Sequence, residues 1–198
     1  MQALRTYIDR YSSGTLSDAD FDVVMGAFTP KKLRRRQYLL QAGEVCKYTA
    51  FVLKGALRQY SVDEKGLEHI MHFAVENWWV GDRESFVMLT PSRYNIDALE
   101  DCELLLTTNA HLNDLLRTVP AIAVMMRELD QRNFIATQKR LYASIGHSAE
   151  ERYAELVAQH PDYLQRFPQH MIASYLGISP ETLSRVRHKV LHKPPKER

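Results

Sequence analysis

Glu181, Ser184 and Arg185 stand three and four residues apart, the interval that brings side chains onto one face of a helix. Their chemistry suits the edge of a base pair: a guanidinium matches the O6 and N7 acceptors of guanine, and a carboxylate accepts from the amino group of cytosine. The residues around them predict how such a face would be presented. Within QHMIASYLGISPETLSRVRH, Gln169 to His188, Ala173 lets two helices pack closely and Gly177 supplies the backbone freedom of a tight turn. Ser179 is a helix cap, Pro180 fits the first helical position, and Glu181 adds a favourable charge to the first turn. Ile172, Leu176, Ile178, Leu183 and Val186 fall where helical spacing buries them between the two helices, which leaves Glu181, Ser184, Arg185 and Arg187 outward. An ordinary helical hairpin with solvated charges is the plain alternative.

Charge weighs against that alternative. From Gln165 onward, Arg166, Arg185, Arg187, Lys189, Lys193, Lys196 and Arg198 stand against Glu181 and Glu197, a local +5, so the whole-chain +2 leaves −3 up to Leu164. The positive field is concentrated where the reading helix would lie. Arg187, Lys189 and Lys193, with Ser179 and Thr182, are the candidates for phosphate contacts, which position a protein on DNA without reading sequence.

A chain of 198 residues with 45% apolar content can bury a core and one smaller second domain. No apolar run approaches the roughly 18 residues of a membrane span, and MQALRTYIDRYSS lacks an apolar signal region, so a cytoplasmic protein with no membrane partner is expected. Cys46 and Cys102 could pair, although a reducing compartment favours two free thiols; no cysteine cluster for a metal or iron–sulfur centre exists.

Leu4 to Phe28 reads as helix interrupted around Ser12 to Ser17. From Lys32 to Leu106 the period changes to short β-favouring runs, at 38–40, 51–53, 57–61, 69–74, 96–99 and 103–106, punctuated by Gly43, Gly55, Gly66 and Gly81. That pattern implies a small antiparallel barrel or roll. Asn109 to Leu116 predicts a short helix, and a long one opens at Pro120 and runs to about Ile145. One of its stripes holds Ile122, Met125, Met126, Leu129, Asn133 and Ala136, another Phe134, Ile135, Leu141, Tyr142 and Ile145. The second stripe suits a second subunit, unless both are intramolecular core, and two-fold pairing is what one helix-turn-helix needs to cover an operator. Ser148 to Glu151 is a capping box for a further helix running to about Ala158. The expected fold is therefore α+β, with a β-roll domain with N-terminal helices over 1–117, a dimerisation helix over 118–145 and a helix-turn-helix domain over 146–198.

In that order the parts resemble the Crp/Fnr family of bacterial transcription regulators, most specifically in LGISPETLSRVR and in the roll segments QAGEVCKYTAFVLKGALRQY and DEKGLEHIMHF. The resemblance covers nearly the whole chain. It implies a cyclic-nucleotide-binding-type roll, a winged helix and a homodimer on a palindromic operator in double-stranded DNA, with RNA polymerase a further partner of an activator. It also implies base reading by Glu181, Ser184 and Arg185 in the E-x-x-S-R pattern of the Fnr-like branch. The expected half-site has a TGA-like core, with Arg185 on guanine and Glu181 on the opposite cytosine. Three departures matter. Pro180 stands where the cyclic AMP receptor branch has an arginine. After Val190 only LHKPPKER follows, so the wing is reduced or absent unless the basic tail replaces it. In the phosphate-binding cassette, Gly81-Asp82 replaces glycine-glutamate, and Arg93-Tyr94-Asn95 lacks the small residues after arginine.

Gly81, Asp82, Arg93 and Tyr94 are thus the candidate effector pocket, with classical cyclic AMP binding disfavoured, no iron–sulfur cofactor, and the effector's identity open. Arg93 and Asp82 could instead pair with each other. Trp78 and Trp79 are core or an aromatic ligand wall. The competing class is not a regulator but a cupin-like metal-binding β-barrel enzyme. Its candidate ligands Glu68, His69 and His72 are poorly spaced, because His69 and His72 face opposite sides of a regular strand.

Overall fold

β-Branched and aromatic residues alternating between Thr29 and Thr108 form two four-stranded antiparallel sheets in the computed structural model, which describes residues 1–12 and 14–191. The first sheet orders β1 (Thr29–Leu33), β8 (Cys102–Thr108), β3 (Tyr48–Lys54) and β6 (Trp79–Val80). The second orders β2 (Tyr38–Leu40), β7 (Asn95–Ala98), β4 (Leu57–Val62) and β5 (Glu68–Ala74). Val52 and Leu104 from the first sheet meet Leu57, Ala74 and Ile96 from the second, all buried. Gly55 turns β3 into β4 at φ +91°, and a Cβ there would stand 2.6 Å from the Asp101 carbonyl oxygen. No other residue fits that approach.

Each sheet has a second buried face. Outside the first sheet, Phe51 and Leu105 pack under Leu4 and Ile8 of α1 (Gln2–Tyr11), Val24 of α2 (Asp18–Gly26) and Leu115 of α4 (Asn109–Thr118). Ile122 and Met125 of α5 (Pro120–Gly146) complete this cluster. Outside the second sheet, Ile70 and Phe73 of β5 pack against α6 (Ala149–Gln159), α7 (Tyr163–Arg166), α8 (Gln169–Leu176) and α9 (Pro180–Leu191). The predicted capping box operates, Ser148 and Glu151 satisfying each other's amides, and Ser17, read only as part of a helix interruption, caps α2 by accepting from Asp20 N.

Several elements differ from the sequence reading. β1 starts at Thr29, where Pro30, Lys31 and Lys32 are exposed, so the edge strand shows no apolar alternation. Two-residue β6, six-residue α3 (Arg83–Met88) and four-residue α7 lie in segments read as connections. The strand β5 is not regular. Gln59 pairs with His72 but Tyr60 pairs with Ile70, which leaves Met71 bulged and shifts the alternation that separated His69 from His72. His69 contacts Asp63 and His72 contacts Trp78, and among the described residues no three His, Cys, Asp or Glu side chains stand together as metal ligands. Cys46 and Cys102 are free and buried; burial raises both thiol pKa values, that of Cys102 to about 11. Among the described residues no helix is long and apolar enough to cross a membrane.

The α5 stripes separate. Met126 and Leu129 stay against the roll, whereas Asn133 and Ala136, assigned to the same stripe by periodicity, are exposed because the apolar packing of the helix on the roll ends at Leu129, beyond which Arg140 still reaches the Met71 carbonyl. Phe134, Ile135, Leu141, Tyr142 and Ile145 are also exposed, Ile145 at 80%.

Phe73 is the centre of the second outer cluster, stacked on Phe167 with ring centroids 4.2 Å apart and edge-on to Tyr163. Phe73→Ala is expected to cost about 3–5 kcal/mol, read as a lower urea midpoint.

Candidate nucleic-acid interface

The helix α9, the candidate for base reading, is held by its neighbours on one side. Gly177 closes α8 in the left-handed conformation at φ +65°, and Ile178 N donates back to Ala173 O at 3.0 Å. Thr182 N donates to Ser179 Oγ at 3.2 Å, so Ser179 caps α9 and Pro180 takes its first position. Ile172, Ala173, Leu176, Leu183 and Val186 are buried together, with Ile178 half-buried beside them. Fixing these five apolar side chains leaves Glu181, Ser184 and Arg185 exposed on the opposite face. Arg185 Nη2 donates to Thr182 Oγ1 at 3.2 Å, and the Glu181 carboxyl is held below its usual pKa, chiefly by the Ser179 hydroxyl.

The phosphate candidates divide. Arg187 is half-buried; Lys189 is exposed and pairs with Glu150 of α6 at 3.0 Å, so a phosphate must displace that carboxylate. Ser179 and Thr182 share a hydrogen bond of 3.2 Å within the cap. Lys193 and the chain beyond Leu191, including any wing, lie outside the described residues.

Sequence reasoning missed the contacts that seat this unit on the roll. Ile70 N donates to Ser174 Oγ at 2.9 Å and Ser174 Oγ donates to Glu68 O at 2.8 Å, so α8 takes hydrogen bonds from the free edge of β5. Arg166 of α7 forks between Glu76 and Glu100 with four hydrogen bonds of 2.7–2.8 Å. That pairing holds the Glu76 carboxyl down at about 2. Arg140 of α5 donates to Met71 O at 2.6 Å and lies over the Tyr175 ring. A contact separated by about a hundred residues leaves no local signal.

A cleft of about 850 Å³ opens between α1, α3, α4, the first half of α5 and the β6 region. Trp78, Trp79, Tyr7 and Tyr11 form its aromatic wall, and Asn77, Asn109 and Asn113 line it with polar groups. Arg83 pairs with Asp130 at 2.5 Å beside it, joining α3 to α5. The buried Trp79 indole N–H lies near the Tyr7 hydroxyl without hydrogen-bond geometry, an unsatisfied donor in the cleft wall. Gly81 and Asp82 line this cleft, whereas Arg93 and Tyr94 do not. Asp82 caps α3 through Glu84 N and takes the Ser92 hydroxyl at 2.7 Å, so it pairs neither with Arg93 nor with a free ligand group. The exposed Arg93 is not turned to the same cavity. Gly81 and Asp82 thus share no cavity with Arg93 and Tyr94.

Comparison with known proteins places the architecture. Residues 30–119 match the family model of the cyclic nucleotide-binding domain. FixK2 from Bradyrhizobium japonicum aligns with TM-score 0.69 at 18% identity, covering 83% of this chain and 84% of that one. CLP, the c-di-GMP responsive global regulator of Xanthomonas campestris, aligns at 0.68 and 14%, covering 91% and 97%. A Eubacterium rectale protein assigned to the Crp/Fnr family aligns at 0.65 and 16%, covering 89% and 84%. The chain has the Crp/Fnr fold. Its β-roll is that family's cyclic nucleotide-binding domain by fold, though Asp82 and Arg93 are disposed as described. A search of the curated proteins finds no sequence match.

Between roll and helix-turn-helix, His72 faces Trp78, Arg140 and His160; burial first, then the two cationic neighbours, lowers its pKa to about 4. Below its ordinary 6.5 the unfolded chain binds a proton that the folded chain refuses until about 4. Stability should therefore be full above pH 6.5 and fall by up to about 3 kcal/mol toward pH 4. Glu76 adds a further loss that begins as pH falls through its ordinary 4.5 and is complete near 2. Urea midpoints across pH 4–7 should slope for the native chain and slope less for His72→Gln, the remainder coming from His160, whose pKa burial also lowers, and from Glu76.

Proposed function

We propose that this protein is a sequence-specific DNA-binding transcriptional regulator of the Crp/Fnr type, a homodimer that reads a palindromic operator with α9. One observation carries the reading: α9 is capped at Ser179, buried through Leu183 and Val186, and free on the face that holds Glu181, Ser184 and Arg185. An interaction module without DNA has no use for a charged, outward trio on so rigidly seated a helix. Dimerisation rests on the exposed stripe of α5, which continues the helix for about four turns beyond Leu129, the last of its side chains packed in the apolar cluster on the roll, with Arg140 reaching back to the Met71 carbonyl. Phe134, Ile135, Leu141, Tyr142 and Ile145 form an apolar surface that a second copy of α5 would cover.

The cleft beside Trp78 and Trp79 is the proposed ligand chamber. It touches α5, which carries the dimer stripe, and β6, which pairs with β3 and follows in the chain the strand β5 that seats the C-terminal helices. A ligand that breaks or tightens the Arg83–Asp130 pair would act on both. Whether occupancy turns DNA binding on or off is set by which state the ligand prefers.

Fluorescence anisotropy against a TGA-containing palindrome and a scrambled control, at fixed salt, tests the reading. Preference for the palindrome is expected, indifferent to cyclic AMP. Arg185→Ala should cost about 1–3 kcal/mol on the palindrome and relax discrimination at the guanine position. Equal binding of the variant to both duplexes at native strength would refute the assignment. For the dimer, Ile135→Glu with Ile145→Glu should convert the species seen by sedimentation to a monomer while leaving thermal unfolding of the roll in place, since both side chains are exposed.

A further inference from the structure

The cleft beside Trp78 and Trp79 carries an unbalanced charge. Its charged lining is Asp82 and Asp130 against Arg83, Arg127 and Arg132, and His72 in the same wall stays neutral because burial lowers its pKa to about 4. All but one of these charges are engaged. Asp82 accepts from Glu84 N, Ser85 N and the Ser92 hydroxyl, and Arg83 places two nitrogens on the two oxygens of Asp130. Arg132 pairs with Glu128 at 2.6 Å and lies over the Tyr11 ring. Among the described residues Arg127 has no acidic partner.

A lone exposed arginine on a helix is ordinarily just solvated. Its neighbours make this one different. Ala123, Arg127 and Asp130 fall at i, i+4 and i+7 of α5, on one face, and all three line the cleft. Asp130, three residues on, is the natural ion-pair partner of Arg127, and Arg83 of α3 has taken both its oxygens. The guanidinium is thus left over in a wall that is otherwise aromatic and apolar: Trp78, Trp79, Tyr7 and Tyr11, with Phe86 and Met126. Burial raises the Tyr7 hydroxyl to about 12, so it stays neutral and repels no anion.

These features select a ligand by charge and by shape. The amides at the start of α3 receive the Asp82 carboxylate, so the anion-binding group left in the cleft is the Arg127 side chain. One guanidinium fork matches the two oxygens of one carboxylate. Indole and phenol faces with a thioether beside them suit a flat ring, and about 850 Å³ is the size of a small-molecule site. We propose that the cleft binds an aromatic carboxylic acid, its ring against the Trp78, Trp79 and Tyr7 side chains and its carboxylate on Arg127. This rests on the reading of the cleft as a ligand chamber and names the chemical class of its occupant.

The test is calorimetric titration of the full chain at neutral pH with biphenyl-4-acetate, its neutral amide and octanoate, repeated on Arg127→Gln, whose side chain is exposed and outside the core. Biphenyl-4-acetate should bind about tenfold or more tightly than either control. Arg127→Gln should lose about tenfold for the acid and little for the amide. The chain's two tryptophans both stand in this wall, so their emission should change on binding. No binding of the acid would overturn the proposal, as would octanoate matching it, equal losses of acid and amide in the variant, or binding that leaves the tryptophan emission unmoved. Anisotropy on the palindrome without probe separates the two readings: a chain that prefers the palindrome but takes no acid overturns the ligand assignment alone. A chain that takes the acid through Arg127 and ignores the palindrome upholds the site and overturns the regulator.

Discussion

The outer face of β5 governs the arrangement of the C-terminal half. One strand has to be apolar on both sides: Ala74 closes the interior of the roll, while Ile70 and Phe73 form the seat for α7 and α8. Phe73 touches Tyr163 and Phe167 at the two ends of α7 and Tyr175 of α8, so a single ring ties two helices to the roll. Around this apolar seat the polar contacts are directional. Arg166, Arg140 and Ser174 meet carboxylates and backbone oxygens at defined angles, which fixes the orientation of α8 and therefore of α9 packed upon it.

A line of ring contacts joins the cleft to the helices packed on β5. The cleft wall includes His72 and Trp78; Trp78 also touches His160 in the connection between α6 and α7, and His160 stacks on Tyr163. A continuous run of rings thus leads from the cleft to the seat of the reading unit. Packed aromatic contacts of this kind shift as units rather than deform smoothly. The bulge at Met71 is part of the same path, since it aims His72 at Trp78 and frees the Met71 carbonyl for Arg140.

Local rules explain what the sequence made legible. Gly177, Ser179 and Pro180 each act within one turn of chain, and their consequences were readable without any tertiary knowledge. The roll was readable as a series of strands because Phe51 to Leu53 and Glu103 to Leu106 carry β-favouring apolar runs. β1 was hidden because its lysines face water at a sheet edge. Asp82 was readable as a ligand group from motif alignment, whereas its nearer neighbours Glu84 N, Ser85 N and Ser92 claim it first. The Arg166 fork depends on Glu76 and Glu100 meeting from different strands and loops, which no spacing along the chain encodes.

Ser174 has a consequence for solubility. β5 is the outermost strand of its sheet, and its Ile70 amide and Glu68 carbonyl would otherwise stand open as a template for another chain's strand. The helix that precedes the reading helix occupies that template. Detaching the C-terminal unit, by truncation or by a hinge that swings too far, would bare an apolar, hydrogen-bonding edge flanked by Ile70 and Phe73. The C-terminal half therefore shields that edge of the roll from pairing with another chain.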